Sequence, residues 1–385
     1  MDIWIYSLFV LLGIFSVIYI NKYRDIVLAF IYCFLVLIMG LAYGQADYDN
    51  YIGLYERSRL FDINNFFDYA YAEQIGYSKD FGYTFLCKIF NSINFSYADF
   101  KFTTTMFFLG LLFFYVSKIT KFAVLVITLY MIYPFFMDVI QVRNFIIEVL
   151  LFVSIYYLSI YRDTYKYIII VLLSATIHAS SMLYMPFFIF FKCIENKVLR
   201  YVIYIVLIFC ISMPLYSQYI TSNWVILKIL FLNASDTMLG KYGHYIDRTY
   251  TGTIYPYLYV LMTIFFLHPM CSRIKNSNEL TEWKKRYVEI IYKLHVYLMF
   301  FFPLYPIFSE IATRMPRNCI LLLAISISIY LEAEKNISIR ICAFIVGVIL
   351  ILSFGFIDLY YQSTVWNVDV ILKNNFLLEI FYRVW

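Results

Sequence analysis

The stretch that decides the fold is residues 165–191, YKYIIIVLLSATIHASSMLYMPFFIFF, an apolar run with polar side chains at its centre. His178, Ser180 and Ser181 carry an imidazole and two hydroxyls in a segment otherwise suited to a lipid bilayer. Polar groups at membrane depth are costly unless they line a water-filled or ligand-filled cavity. The interruption therefore makes His178 the first candidate for chemistry, with both serines beside it.

The composition indicates a membrane protein: 63% of the 385 residues are hydrophobic, 22% are aromatic and only 14% are charged. A spanning helix needs about 20 mostly apolar residues, and such runs recur along the whole chain. They lie near 3–20, 26–43, 101–117, 122–137, 144–161, 165–191, 201–218, 254–271, 288–308, 317–331 and 341–358. We expect an all-α, polytopic helical bundle of about 11–12 spans, with residues 1–385 forming a single transmembrane domain. The first run is read as a retained span rather than a cleaved signal.

Several function classes are disfavoured. The net charge of +5 is spread over short loops, so no nucleic-acid-binding surface is indicated. The seven cysteines are scattered without a CxxC pair and are read as small buried hydrophobic residues. No HExxH or P-loop pattern occurs, so we expect neither a metal nor a cofactor, and nucleotide-sugar chemistry is disfavoured.

Charge parity predicts a hairpin at the interruption. Basic residues concentrate in short connections, which should be cytoplasmic by the positive-inside tendency; they include Arg162, Lys166, Lys192, Lys197 and Arg200. Arg162 and Lys166 form one basic group, and Lys192, Lys197 and Arg200 form the next; a single apolar run, 165–191, lies between them. If both groups are cytoplasmic, the chain must break near His178 and return to the side from which it came. The alternative is one long tilted helix with inverted sidedness downstream.

The same scheme places the long polar loops, near 44–100 and 219–253, at the outer face. It also places there the links around Arg143 and Arg314, and the C-terminal tail from Asp358. The tail's amphipathic end, 376–385, would rest on the membrane interface.

The first outer loop contains Asp47-Tyr48-Asp49-Asn50-Tyr51 and continues to Phe81-Gly82-Tyr83. Carboxylates accept hydrogen bonds from sugar hydroxyls, and aromatic rings cover the apolar faces of pyranoses. Asp47, Tyr48 and Tyr51 are therefore candidate sugar contacts. The alternative is an aromatic interface belt with solvated acids.

Arginines at the outer face run against the topological bias and so need another explanation. Arg143, with Gln141 two residues before it, begins one apolar run, and Arg314 and Arg317 precede another at i,i+3 spacing. Several guanidinium groups on one face suit a diphosphate, because each binds phosphate oxygens bidentately without a metal. Snorkelling to the interface is the alternative for Arg143. Further candidate substrate contacts are Gln141, Ser180 and Ser181, and Arg248 in the second loop.

A histidine with a pKa near neutrality can remove a proton from an acceptor hydroxyl or protonate a leaving group. His178 is therefore a candidate acid or base. The alternative is a buried histidine bonded to a backbone carbonyl.

Together these residues resemble the EpsG-like branch of the Wzy family of polysaccharide polymerases. The resemblance rests on Ala46 to Tyr51, Gln141-Val-Arg143, Ile177 to Ser181 and Arg314-Met-Pro-Arg317, in order along most of the chain. One departure is that the family places Arg before Gln at the helix start, whereas here Gln141 precedes Arg143 and Asn144 follows it.

The resemblance implies a fold similar to that of the lipid-dependent (GT-C-like) membrane glycosyltransferases, in a bacterial inner membrane, with the site on the periplasmic or outer face. It implies transfer of a growing glycan from undecaprenyl diphosphate to the terminal sugar hydroxyl of a new lipid-linked unit of O-antigen, capsule or exopolysaccharide. Membrane lipid and a Wzz-like chain-length regulator are the implied partners. Arg143, Arg314 and Arg317 would face the diphosphates, with His178 or Asp47 as the base.

Three other functions use similar features. An O-antigen ligase would take the same donor, and a lipid-linked oligosaccharide flippase would carry charges through its span centres. A membrane O-acetyltransferase would need its histidine on the cytosolic side. A deletion strain distinguishes a ligase from a polymerase. Loss of a polymerase leaves single repeat units attached to their acceptor, whereas loss of a ligase leaves none attached.

Labelling of single cysteines placed at Asp47, Ser180 and Lys192 tests the topology. The hairpin predicts that positions 47 and 180 react with an impermeant reagent from outside, whereas position 192 does not. Labelling of position 192 from outside would refute the hairpin.

Overall fold

The fold is a bundle of α-helices in a computed structural model that describes residues 10, 23–45, 47–62, 80–212, 254–304, 309–361, 371 and 374–375. Within these ranges no β-strand occurs, and one isolated bridge pairs Ala42 with Asn375. The helices of the first half are α1 (Arg24–Leu41), α2 (Tyr48–Arg57), α3 (Phe81–Ser92), α4 (Tyr97–Ile119), α5 (Ala123–Ile132), α6 (Phe135–Ile140), α7 (Val142–Tyr161) and α8 (Thr164–Ile177). Those of the second half are α9 (Phe187–Cys193), α10 (Lys197–Ser212), α11 (Ile254–Lys275, with a π-helical middle), α12 (Glu282–Leu298), α13 (Ser309–Arg317), α14 (Ile320–Ala333) and α15 (Ile337–Tyr361).

Six helical segments among the described residues are long and apolar enough to cross a membrane, which confirms the prediction of an all-α polytopic protein. They are Arg24–Leu41, Tyr97–Ile119, Val142–Tyr161, Ile254–Lys275, Ala312–Ala333 and Ile337–Asp358. The apolar run predicted over 122–137 is not one helix but two, α5 and α6, because the chain turns at Tyr133-Pro134. The long outer loop is also not irregular throughout, since it contains α2 and α3.

Burial separates the centre of the bundle from its edge. In α7, 78% of the apolar window is buried, and in Ala312–Ala333 the fraction is 94%. In α15 it is only 17%, so most of that helix faces outward although its sequence is the most apolar. The two central segments carry the arginines predicted to bind the diphosphate.

The hairpin predicted at His178 is present. Helix α8 ends at Ile177, His178 is extended (φ −154°, ψ 123°), and a 3-10 helix follows over Ala179–Tyr184. The Tyr167 hydroxyl donates to the Tyr184 carbonyl at 2.6 Å. A continuous helix would separate residues this far apart in sequence by about 25 Å, so the chain folds back on itself.

Basic connections from different parts of the chain meet at the end of the bundle opposite the hairpin tip. Glu332, at the end of α14, accepts hydrogen bonds from the Thr120 hydroxyl at 2.7 Å and the Lys121 amide at 2.8 Å, and it binds Lys284 Nζ at 2.6 Å. Arg286 donates to the Ser159 carbonyl at 3.0 Å. These contacts bring several of the basic connections to one end of the bundle, and the membrane face to which they belong stays a prediction.

The last predicted span, 341–358, matches the apolar segment Ile337–Asp358, and the tail begins slightly later than predicted. Helix α15 continues to Tyr361, and Asp358 is buried within it. The first predicted span, most of the second outer loop with Arg248, and the segment 376–385 lie outside the described residues.

Candidate functional site

Arg143 is the central cation of the site and lies in the first turn of α7. Its Nη1 forms an ion pair with Asp80, and the guanidinium carbon lies 5.3 Å from the ring centre of Tyr51 and 5.7 Å from that of Tyr83. Burial raises the pKa of Tyr83 well above its ordinary value, so the phenol is neutral and offers its ring to the cation. Arginine Nε is shielded from solvent and has no hydrogen-bond partner within the described part of the chain.

The break at His178 is stable at membrane depth because its backbone amides are bonded. The His178 amide donates to the Ser174 carbonyl (3.0 Å), and the Ala179 amide donates to Asp80 Oδ1 (3.1 Å). The Ser180 amide donates to His178 Nδ1 (3.2 Å), and the Ser181 amide donates to the His178 carbonyl (3.0 Å). Buried backbone donors need partners where water is scarce. Here two side chains, Asp80 and His178 itself, replace the interrupted helical bonds.

These bonds fix the tautomer of His178. A backbone amide can only donate, so Nδ1, which faces the Ser180 amide, is the acceptor and carries no proton. The Ser180 hydroxyl lies 2.9 Å from the same nitrogen. In the neutral ring the proton is therefore on Nε2, and His178 presents a hydrogen-bond donor there rather than a base.

Asp80 joins the two parts of the site. Its Oδ2 binds Arg143 and its Oδ1 accepts from the Ala179 amide, while the Asp80 side chain is only 9% exposed. Asp80, Arg143 and Arg314 all lie within electrostatic range of His178. Sequence-predicted residues from three separate segments, Arg143, His178 and Arg314, are thus brought together at one end of the bundle.

A glycine permits this approach of α3 to the hairpin. A Cβ added at Gly82 would lie 3.0 Å from the carbonyl carbon of Thr176, and closer still to the Thr176 hydroxyl. No side chain fits there without moving α3 or the last turn of α8. Gly82 therefore allows Asp80, two residues earlier, to reach the Ala179 amide.

The two arginines of α13 lie in different surroundings. Arg314 is partly buried, and its positive charge lies within electrostatic range of His178. The Arg317 side chain is only 3% exposed; it pairs with Asp358 at 3.2 Å and donates from Nη2 to Gln141 Oε1 at 2.6 Å. Arg317 and Gln141 are thus bonded to each other, and direct substrate binding by either stays a prediction.

Further buried polar groups surround Arg317. Asp358 also accepts from the Tyr133 hydroxyl at 2.9 Å, and Asp138 accepts from that of Tyr130 at 2.8 Å. Glu148, in the second turn of α7, lies beside Asp138. Gln141 also accepts a hydrogen bond from Asn144, which gives the polar neighbours of Arg143 a structural role.

Three of the remaining predicted residues, Asp47, Tyr48 and Ser181, lie within the described part of the chain. Asp47 is partly exposed at the start of α2, one turn before Tyr51, and its side chain makes no capping bond. Tyr48 packs edge-on against Tyr97, with ring centres 5.4 Å apart. Ser181 is fully buried. Arg248 lies outside the described residues, so its predicted role is open.

The sequence pattern did not indicate Asp80, Glu148, Asp138 or Lys101. Two of these carried a usable signal: Glu148 interrupts the apolar run 144–161, and Lys101 begins another. Lys101 is buried and donates to the Ala42 carbonyl at 2.7 Å, capping the end of α1. Lys101 thus has the specific partner expected of an ionisable residue inside a span, whereas neither carboxylate oxygen of Glu148 has a hydrogen-bond partner among the described residues.

Comparison with known proteins gives one family. The model of the EpsG family matches residues 25–370, which is nearly the whole chain. No curated protein and no solved structure matches the chain, so the predicted likeness to GT-C-like glycosyltransferases stays a prediction.

Gly82→Ala should destabilise the protein by about 1–3 kcal/mol, because the added methyl group overpacks the contact with Thr176. Gly53→Ala, on α2, is the matched control: its Cβ would meet nothing nearer than the Arg57 side chain at 3.8 Å, and alanine favours a helix. Thermal unfolding of both purified variants measures the difference. Equal unfolding midpoints would show that the close approach of α3 to the hairpin is wrong.

Proposed function

The chain belongs to the EpsG family, and we propose that it polymerises oligosaccharide repeat units held on undecaprenyl diphosphate. The growing glycan would be transferred from its lipid carrier to the terminal sugar hydroxyl of a new lipid-linked unit, at the outer face of a bacterial inner membrane. Family membership supports a role in polysaccharide polymerisation. The observation that carries the finer proposal is the convergence of Arg143, Arg314 and His178 at one end of the bundle.

This arrangement suits a leaving diphosphate. In the reaction, the acceptor oxygen bonds to the anomeric carbon, the bond from that carbon to the phosphate oxygen breaks, and undecaprenyl diphosphate leaves with the electron pair. Arg143 and Arg314 supply positive charge, and the Nε2–H of His178 donates a hydrogen bond to the same group. Fixed donors of this kind are typically the main source of rate when negative charge develops in a transition state.

The proton of the acceptor hydroxyl needs a separate base. The sequence offered His178 or Asp47 for this role, and the tautomer of His178 favours Asp47. Asp47 is partly exposed and lies one helical turn from Tyr51, whose ring contacts Arg143. We therefore assign Asp47 as the base that accepts the proton of the acceptor hydroxyl, and Tyr51 as a sugar contact.

Arg143→Ala should abolish long chains when the ladder is normalised to the amount of protein in the membrane, since loss of one such fixed donor typically lowers the rate by about 10²–10³-fold. Abundance itself should fall somewhat, because the buried Asp80 loses its ion-pair partner. The measurement is the chain-length ladder of surface polysaccharide from a deletion strain carrying the variant. Arg57→Ala, which removes an exposed arginine on α2, is the control and should give a full ladder. A full ladder from Arg143→Ala would contradict the assignment.

The donor role of His178 predicts different results for its two amide replacements. Glutamine can place an N–H near the position of Nε2, whereas asparagine reaches only the position of Nδ1. We expect His178→Gln to retain more polymerisation than His178→Asn or His178→Ala, as judged by the same ladder. If all three variants were equally inactive at normal abundance, a base role for His178 would be favoured instead.

A further inference from the structure

We propose that Asp80 is a positioning residue that holds Arg143 and His178 in a fixed relation for glycosyl transfer. The inference rests on the proposed function and adds to it a residue that no sequence motif indicated. Asp80 would not touch the substrate. It would act through the guanidinium on one side and the hairpin tip on the other.

Asp80 bonds directly to Arg143 and to the backbone next to His178. Oδ2 binds Nη1 of Arg143, and Oδ1 accepts the amide of Ala179, the residue directly after His178. Among the described residues, no hydrogen bond joins Arg143 to His178 directly. The carboxylate therefore bridges the Arg143 guanidinium and the hairpin tip, in addition to the direct packing of α7 against α8.

Asp80 is itself held in place. It directly precedes α3, and its carbonyl accepts the Thr84 amide at 3.1 Å. The first turn of α3 is fixed on both sides, since Gly82 packs against Thr176 of α8 and the Tyr83 ring lies beside Arg143. A carboxylate on such a support holds its partners more closely than one on a mobile loop.

Positioning and binding should respond in opposite ways when Asp80 is changed. The carboxylate offsets the charge of Arg143, so its removal leaves more net positive charge facing a diphosphate. Binding of an undecaprenyl diphosphate should then be unchanged or stronger. Turnover should fall, because small displacements of reacting groups lower rates by up to about 10²-fold.

Two variants each remove one of the two bonds. Asp80→Asn keeps an oxygen for the Ala179 amide but places an amide NH₂ or an uncharged oxygen against Arg143. Ala179→Pro removes the amide hydrogen and leaves the carboxylate charge in place. Proline is acceptable in the first turn of a helix, and it requires an extended residue before it, which His178 already is.

The experiment uses the full chain in lipid nanodiscs and measures two quantities, binding of undecaprenyl diphosphate and polymerisation of repeat units extracted from the deletion strain. Ala179→Pro should unfold near the wild-type temperature, whereas Asp80→Asn should unfold at a lower temperature because it removes one member of a buried ion pair. At a temperature where both variants are folded, both should bind the lipid at least as well as the wild type and turn over at least about tenfold more slowly. Glu56→Gln changes an exposed acid on α2; it is the control and should match the wild type in both measurements.

Wild-type turnover by Ala179→Pro would show that Asp80 acts on Arg143 alone and would overturn the proposal. The proposal would also be overturned if a folded variant lost both lipid binding and turnover. If Asp80→Asn fails to fold, Ala179→Pro decides. Failure of the wild-type protein to bind undecaprenyl diphosphate would instead refute the proposed function, and that result involves no variant.

Discussion

A buried carboxylate in a membrane protein is tolerated when its oxygens are bonded, and Asp80 meets this condition with partners from two different elements. One partner is the guanidinium at the start of α7, and the other is the amide that follows His178. Removing one member of a buried charged pair typically destabilises a protein by about 3–5 kcal/mol. The same contact therefore stabilises the break in the apolar run and sets the distance between the groups proposed to face the diphosphate.

A second set of buried polar residues supports the site from the centre of the bundle. Arg317 binds Asp358 of α15 and Gln141, the residue before α7. Because α15 packs at the edge of the bundle, this ion pair is a specific polar contact between it and the central helices. Arg143 and Arg317 looked equivalent in the sequence, but the first lies beside Asp80 and two aromatic rings, and the second lies in the core.

Much of the architecture could be predicted from the sequence because its physical basis is local. Apolar length gave the spans, and the parity of basic loops gave the hairpin at His178. Asp80 could not be predicted, because its partners lie 63 and 99 residues away and nothing in the local pattern selects one acid of the loop over another. The bonding of Arg317 and the burial of Asp358 depend in the same way on which helices pack together, a property that periodicity alone does not specify. The tautomer of His178 followed only from the position of the Ser180 amide.

The central claim is that the diphosphate of a lipid-linked glycan binds between Arg143 and His178. The most direct test is a cryo-electron microscopy structure of the protein in a nanodisc with undecaprenyl diphosphate bound. We predict phosphate oxygens about 3 Å from the Arg143 guanidinium and from Nε2 of His178. A diphosphate bound instead at the opposite end of the bundle, near Lys284 and Lys121, with Arg143 making no contact to it, would contradict this account.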